Sequence, residues 1–150
     1  MVKPPDNIIH IKALGEVVSN LRDAMRHFVQ RRLREQNIDL TFEMLQVINT
    51  LSEKGEINQQ EIANLLNKDK TSITYLLDNL SKRGLVRRVE DPGDRRNKII
   101  HLTEAGRKIT DLLAPIVEEL HEKASKGLSV DYLKNVTRSL QVIRGNLEVE

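Results

Sequence analysis

Apolar residues return every three or four positions along three stretches of this chain. Ile11, Leu14, Val18, Leu21, Met25 and Phe28 are spaced 3, 4, 3, 4 and 3. The pattern predicts a helix running to about Gln36, preceded by an irregular arm, Met1 to Asn7, that carries Pro4 and Pro5. Ile109, Leu113, Ile116 and Leu120 repeat the spacing, and Gly127 reads as a helix stop. Leu133, Val136, Leu140, Ile143 and Leu147 then take it up again. Each is a heptad-like seam that needs a partner helix to cover it. One reading packs these helices on each other within a subunit; the other makes them a dimer interface. With about half the chain in such helices, little core is left to cover them all. Twofold homo-oligomers are the commonest kind. The balance favours a homodimer held by residues 8–36 and 109–147.

The middle of the chain, residues 40–106, mixes periods. Leu40–Lys54 reads as a helix with Thr41 as N-cap, Phe42, Leu45, Ile48 and Leu51 on one face, and Gly55 as its end. Asn58 and Glu61 form a capping box, and Ile57 with Ile62 a hydrophobic staple, so two signals place a helix start at Asn58. Ile62, Ala63, Leu65 and Leu66 supply its apolar face. After the turn Asn67-Lys68-Asp69, Asp69 caps a helix that ends at Gly84. Leu85–Glu90 and Lys98–Leu102 alternate as strands. Between them Asp91-Pro92-Gly93-Asp94 has Pro and Gly at the central positions of a type II turn. Thr103 and Gly106 open the C-terminal helix. The expected fold is mainly α with a small antiparallel β wing: a winged helix-turn-helix flanked by N- and C-terminal dimerisation helices, in a single domain over 1–150.

Composition narrows the chemistry. The formal net charge is only +2, yet between Lys68 and Lys98 nine basic residues face five acidic ones. Positive charge gathered in one segment is the footprint of a phosphate-binding surface. The chain has no cysteine, which removes disulfides, thiol switches and Cys-based zinc sites. No apolar run is long enough to span a membrane, and the start lacks the apolar core of a signal peptide. A cytoplasmic location is the expectation.

Two helices joined by a short turn make a helix-turn-helix. On the second, Ile73, Leu76, Leu77 and Leu80 share one arc and must face the core. The opposite arc holds Thr71, Tyr75, Asp78 and Lys82, flanked by Ser72 and Thr74. The N-terminal part of a recognition helix reaches base edges. Lys70, Thr71, Ser72, Thr74 and Tyr75 offer hydroxyls, one charge and one ring there. An ordinary capped surface helix would also place Ser and Thr in its first turn. The hairpin that follows tips the balance, because Arg95, Arg96 and Lys98 crowd its tip and a narrow basic arm suits the minor groove. Asp94 reads as a brace that pairs with one arginine and holds the other outward.

At these residues the chain resembles a known family. DKTSITYLLDNLSKRGLVRRVEDPGDRRNKIIHLTEAG is similar to the MarR family of bacterial transcription regulators, and the flanking seams match that family's dimerisation arms. The resemblance implies a homodimer on double-stranded DNA with a pseudo-palindromic operator. Recognition helices would enter successive major grooves, with wings in the flanking minor grooves. It places Thr71, Ser72, Thr74 and Tyr75 on the groove-reading helix and Arg95 and Arg96 on the wing. Tyr75 stands where many members carry a basic residue, so base preference does not transfer.

The resemblance also implies a ligand-responsive repressor, with a small-molecule effector in a cleft beside the dimer arms. Met25, His27, Phe28 and Met44 are the candidates to line it, against the plainer reading of these residues as core. No cofactor and no metal site is expected, since His10, His27, His101 and His121 stand singly. Two other classes compete. A protein–protein module would use the winged lobe and the seams for a foreign partner. An enzyme would need a nucleophile, metal or phosphate-cradle motif, and none is arranged here.

Overall fold

Short polar side chains start the helices of the central lobe, and their positions follow the expected caps. In the computed structural model, which describes residues 5–148, the Thr41 side chain accepts from Met44 N–H and opens a helix over Phe42–Lys54. Asn58 and Glu61 close both halves of a capping box at Gln59–Leu65. Asp69 accepts from Ser72 N–H and opens Lys70–Lys82. In chain order the elements are α1 (Asp6–Glu35), α2 (Phe42–Lys54), β1 (Ile57–Asn58), α3 (Gln59–Leu65), α4 (Lys70–Lys82), β2 (Val86–Glu90), β3 (Lys98–Leu102), α5 (Glu104–Ser125) and α6 (Val130–Glu148). They fall into two compact units, the first reaching Val117 and the second beginning at Glu118 within α5.

In the first unit, α2, α3 and α4 pack around one core with the sheet. Ile48, Ile62, Ile73, Leu77, Leu80 and Ile100 are fully buried in it. The four α4 residues assigned to the core arc, Ile73, Leu76, Leu77 and Leu80, are all buried. On α2 the buried stripe is wider than expected and takes in Met44 and Val47 as well. Val29 and Leu33 carry the end of α1 into the core. Gln30 fastens the α1–α2 corner, since its Nε2 donates to Leu40 O at 3.1 Å and its Oε1 accepts from Phe42 N at 3.2 Å. Arg26 ion-pairs with Glu43 at the same corner.

The sheet has three antiparallel strands in the order β1-β3-β2. β2 and β3 pair from Val86↔Leu102 to Glu90↔Lys98, and β1 adds Ile57↔Ile100 and Asn58↔Ile99. Two residues are too few to show a period of two, so β1 was not legible as a strand. Gly84 follows α4 with φ +69°, a conformation glycine adopts without steric cost.

Four expectations change. Asp6 and Asn7 belong to α1 rather than to an irregular arm, because the helix starts after Pro5; Met1–Pro4 lie outside the described residues. Leu65 is 53% exposed, since α3 is only seven residues long and buries Ile62 and Ala63 instead. Gly93 does not take the positive φ of a type II turn. Its N–H is drawn to Asp91 Oδ1 at 2.8 Å, so an Asx turn forms in its place. Asp94, expected to pair with an arginine side chain, instead accepts a backbone N–H, as described below.

The seams of α1 and α6 are open within this chain, whereas on α5 Leu113, Ile116 and Leu120 are buried. On α1, Ile11, Val18 and Leu21 are exposed. In the second unit, α6 carries no buried residue among those described, and Leu133 and Val136 remain 38% and 40% exposed.

Candidate nucleic-acid interface

α3, the turn at Asn67 and α4 form the helix-turn-helix. Asn67 takes φ +49°, which reverses the chain between the two helices. The N-terminus of α4 is pinned by Asp69, whose Oδ1 accepts Ser72 N–H at 2.8 Å and whose Oδ2 accepts Ser72 Oγ–H at 2.7 Å. These two hydrogen bonds hold the Asp69 carboxyl below the ordinary carboxylate range. A lowered pKa means the cap stabilises fully above the unfolded value and is lost as pH falls through the folded one. Asp69→Ala is therefore expected to lower the thermal midpoint at neutral pH. The gap from the parent should close as the solution is acidified through the carboxylate range. A gap that persists in acid would show that the ionised carboxylate is not the stabilising group.

Hydrogen bonds sort the predicted reading residues into two groups. Thr74 Oγ1 donates to Lys70 O at 2.9 Å and accepts from Gln59 Nε2 at 2.7 Å. The Ser72 hydroxyl is engaged by Asp69. Both hydroxyls therefore shape the helix and its junction with α3. Thr71, Lys70 and Tyr75 point away from these contacts, and Tyr75 is 67% exposed. Farther along α4, Asp78 accepts from Arg88 Nη1 at 2.5 Å, while Arg88 Nη2 reaches Thr74 O at 3.3 Å. Arg88 on β2 thus ties α4 to the base of the wing. Neither Gln59 nor Arg88 was singled out from sequence. Each looks like one more surface polar residue until folding brings it against α4.

The wing spans residues 91–97 between β2 and β3. Asp91 N donates to Asn97 O at 3.2 Å and closes its base. Asp94 accepts twice, with its carbonyl from Asn97 N at 2.9 Å and its Oδ1 from Arg96 N at 3.0 Å. Asp94 is thus a brace on the backbone and not on a guanidinium. Arg95 and Arg96 are exposed at the tip. Lys98 is set back on β3, where its Nζ lies 3.0 Å from Glu90 Oε1.

The four effector candidates stand in different surroundings. Met44 is buried in the core, Met25 is half-buried and His27 is exposed. Phe28 is half-buried, with the Arg31 and Arg32 guanidinium groups 5.7 Å and 5.5 Å from its ring centre. No helix is long and apolar enough to cross a membrane among the described residues. Nor do those residues contain a cluster of three or more His, Asp or Glu that could hold a metal ion.

A helix-turn-helix followed by a two-stranded basic hairpin defines a winged helix-turn-helix protein. The family model that matches residues 40–98 is that of the MarR family. The chain is 32% identical over 108 residues to the HTH-type transcriptional regulator SarZ of Staphylococcus haemolyticus, covering 72% of each. It is 29% identical over 111 residues to the HTH-type transcriptional repressor IacR of Pseudomonas putida, covering 74% of this chain and 66% of that one. Among solved structures, a mutant MarR of E. coli complexed with operator DNA superposes with a TM-score of 0.79 at 24% identity, over 93% of this chain and 99% of the other. The chain belongs to the MarR family of transcription regulators.

Proposed function

We propose that this chain binds duplex DNA sequence-selectively as a homodimer and represses transcription from a pseudo-palindromic operator. The observation that carries the reading is the placement of Arg95 and Arg96 at the tip of a braced wing, beside an α4 whose exposed face presents Lys70, Thr71 and Tyr75. Helix in major groove and basic hairpin in minor groove is a geometry that reads base edges and groove width together. The operator DNA bound by the E. coli relative and the repressor role named for IacR support the same reading. Residues 40–106 form the reading lobe in this proposal, and 8–36 with 109–147 form the dimerisation helices of one domain. Such a regulator works in the cytoplasm, where the DNA is. A small-molecule effector would act by changing the spacing of the two recognition helices.

Selection of bound sequences from a random duplex pool tests this directly. The expected product is a pair of inverted half-sites about 10 base pairs apart, one helical turn, as for a dimeric helix-turn-helix. Tyr75→Ala should reorder the preferred half-site bases, because the ring is exposed where base edges lie. A pool that emerges unenriched would sink sequence-selective binding. A uniform loss across all sequences for Tyr75→Ala would confine that ring to phosphate contact.

A further inference from the structure

The helix and the wing meet over a cleft. It has a volume of about 170 Å³ and is lined by Gln59, Gln60, Lys70, Arg96, Asn97 and Lys98. Its walls come from the start of α3, the first residue of α4, the wing and the first residue of β3. Three cations and three amides line it, and no carboxylate does. Lys98 is partly neutralised by Glu90 outside the cleft. Lys70 and Arg96 are exposed, and no hydrogen bond or ion pair engages either side chain among the described residues. The amides are partly held in place. Gln59 Nε2 donates to Thr74 Oγ1, and Gln60 Nε2 donates to Asn64 Oδ1 at 3.0 Å.

Lys70 and Arg96 are 26 positions apart in sequence. In sequence they read as two separate contacts, one for each groove. In the fold they border one cleft. The sugar-phosphate strand of a duplex is the ridge that separates a major groove from its neighbouring minor groove. A protein with its helix in one and its wing in the other must straddle that ridge, and the cleft lies between helix and wing.

We propose that this cleft seats one phosphate of the bound DNA strand, held jointly by Lys70 and Arg96, with Gln60 and Asn97 as further donors. The inference rests on the duplex-binding reading above and divides the labour within the wing. Arg96 holds the backbone, and Arg95, which does not line the cleft, is left for the minor groove.

The salt dependence of binding tests the sharing. The slope of log affinity against log salt is about −0.9 per phosphate neutralised on duplex DNA. The selected duplex should be titrated with the full-length parent, Lys70→Ala, Arg96→Ala and the double variant. If the two cations share one phosphate, either alone still neutralises it. The homodimer carries the cleft twice, so each single variant then changes the slope by well under 1.8, and the double variant flattens it by about 1.8. The affinity lost by the double variant should exceed the product of the two single losses. Arg95→Ala combined with Lys70→Ala should instead multiply. Gln60→Ala should weaken binding about two- to fivefold, the loss of one hydrogen bond, with unfolding midpoint unchanged.

Single-variant slope changes of about 1.8 each, summing to about 3.6 for the dimer, would mean two separate phosphates per subunit and overturn the shared seat. A free anion has the same chemistry as the strand. Affinity should therefore be compared in chloride and in inorganic phosphate at equal ionic strength. Equal affinities support the DNA strand as occupant. A loss specific to phosphate, abolished in Arg96→Ala, would assign the cleft to a free anion. If even the parent selects no duplex, the functional reading fails. If the parent binds and the slopes add, only the cleft assignment fails.

Discussion

Gly106→Ala is expected to cost about 2–4 kcal/mol of folding stability, in the range of overpacking at a rigid site. Gly106 is buried in the first turn of α5. A Cβ built there would lie 2.1 Å from Leu85 O and 3.1 Å from Leu85 C, with Leu102 Cδ2 also at 3.1 Å. The nearest atom is backbone, so no rotamer change relieves the overlap. That carbonyl is also fixed from the other side, because it accepts Thr103 N–H at 3.0 Å. Thr103 further ties the joint, donating its hydroxyl to Gly84 O at 2.6 Å and accepting Gly106 N–H at 3.0 Å. The start of α5, the end of α4 and the start of β2 are held at this one point. For a chain of this size the loss corresponds to a thermal midpoint lower by roughly 5–15 °C. Urea unfolding of parent and variant measures it. An unchanged midpoint would show that α5 can move away from Leu85 at no cost.

Val136→Glu should leave the folded subunit intact and break the dimer. Val136 is 40% exposed in this chain and lies on the α6 seam with Leu133. A substitution at such a position normally changes subunit stability by no more than about 0.5 kcal/mol. If a second copy covers the seam, the same change buries an unpaired carboxylate, and twofold symmetry repeats it in both subunits. A combined loss of about 4 kcal/mol raises the dimer dissociation constant roughly a thousandfold. Sedimentation at micromolar concentration should then show a monomer with native helix content, alongside a dimeric parent. Affinity for a two-half-site operator should fall with it, since a single lobe reaches only one half-site. A variant that sediments as the parent does would remove this part of α6 from the interface.

The two experiments probe features of different legibility. The seam around Val136 is visible as a 3, 4 spacing, because a helix carries its side chains to one face at that period. The crowding at Gly106 is not visible. It arises from Leu85, which sequence places in another element. The same contrast runs through the interface. The Asp69 cap and the Ile73–Leu80 arc depend on residues three to seven positions apart, and both were read correctly. The type II turn failed because Asp91 offered the Gly93 N–H a closer acceptor. Asp94 was expected to meet an arginine guanidinium, and its Oδ1 instead accepts the nearer Arg96 backbone N–H.

What the sequence by itself determined, then, is local: caps, amphipathic arcs, the order of the helices and of the two wing strands, the basic wing and the family resemblance. Each depends on groups separated by a few positions, where chain geometry dictates what can meet. Tertiary structure decided which polar groups remain outward. It turned Thr74 to Gln59, Asp78 to Arg88 and Lys98 to Glu90, leaving Thr71, Tyr75, Arg95 and Arg96 exposed. It also brought Lys70 and Arg96 to one cleft. A hydroxyl or a charge takes the partner that folding presents to it, and no spacing along the chain records that partner.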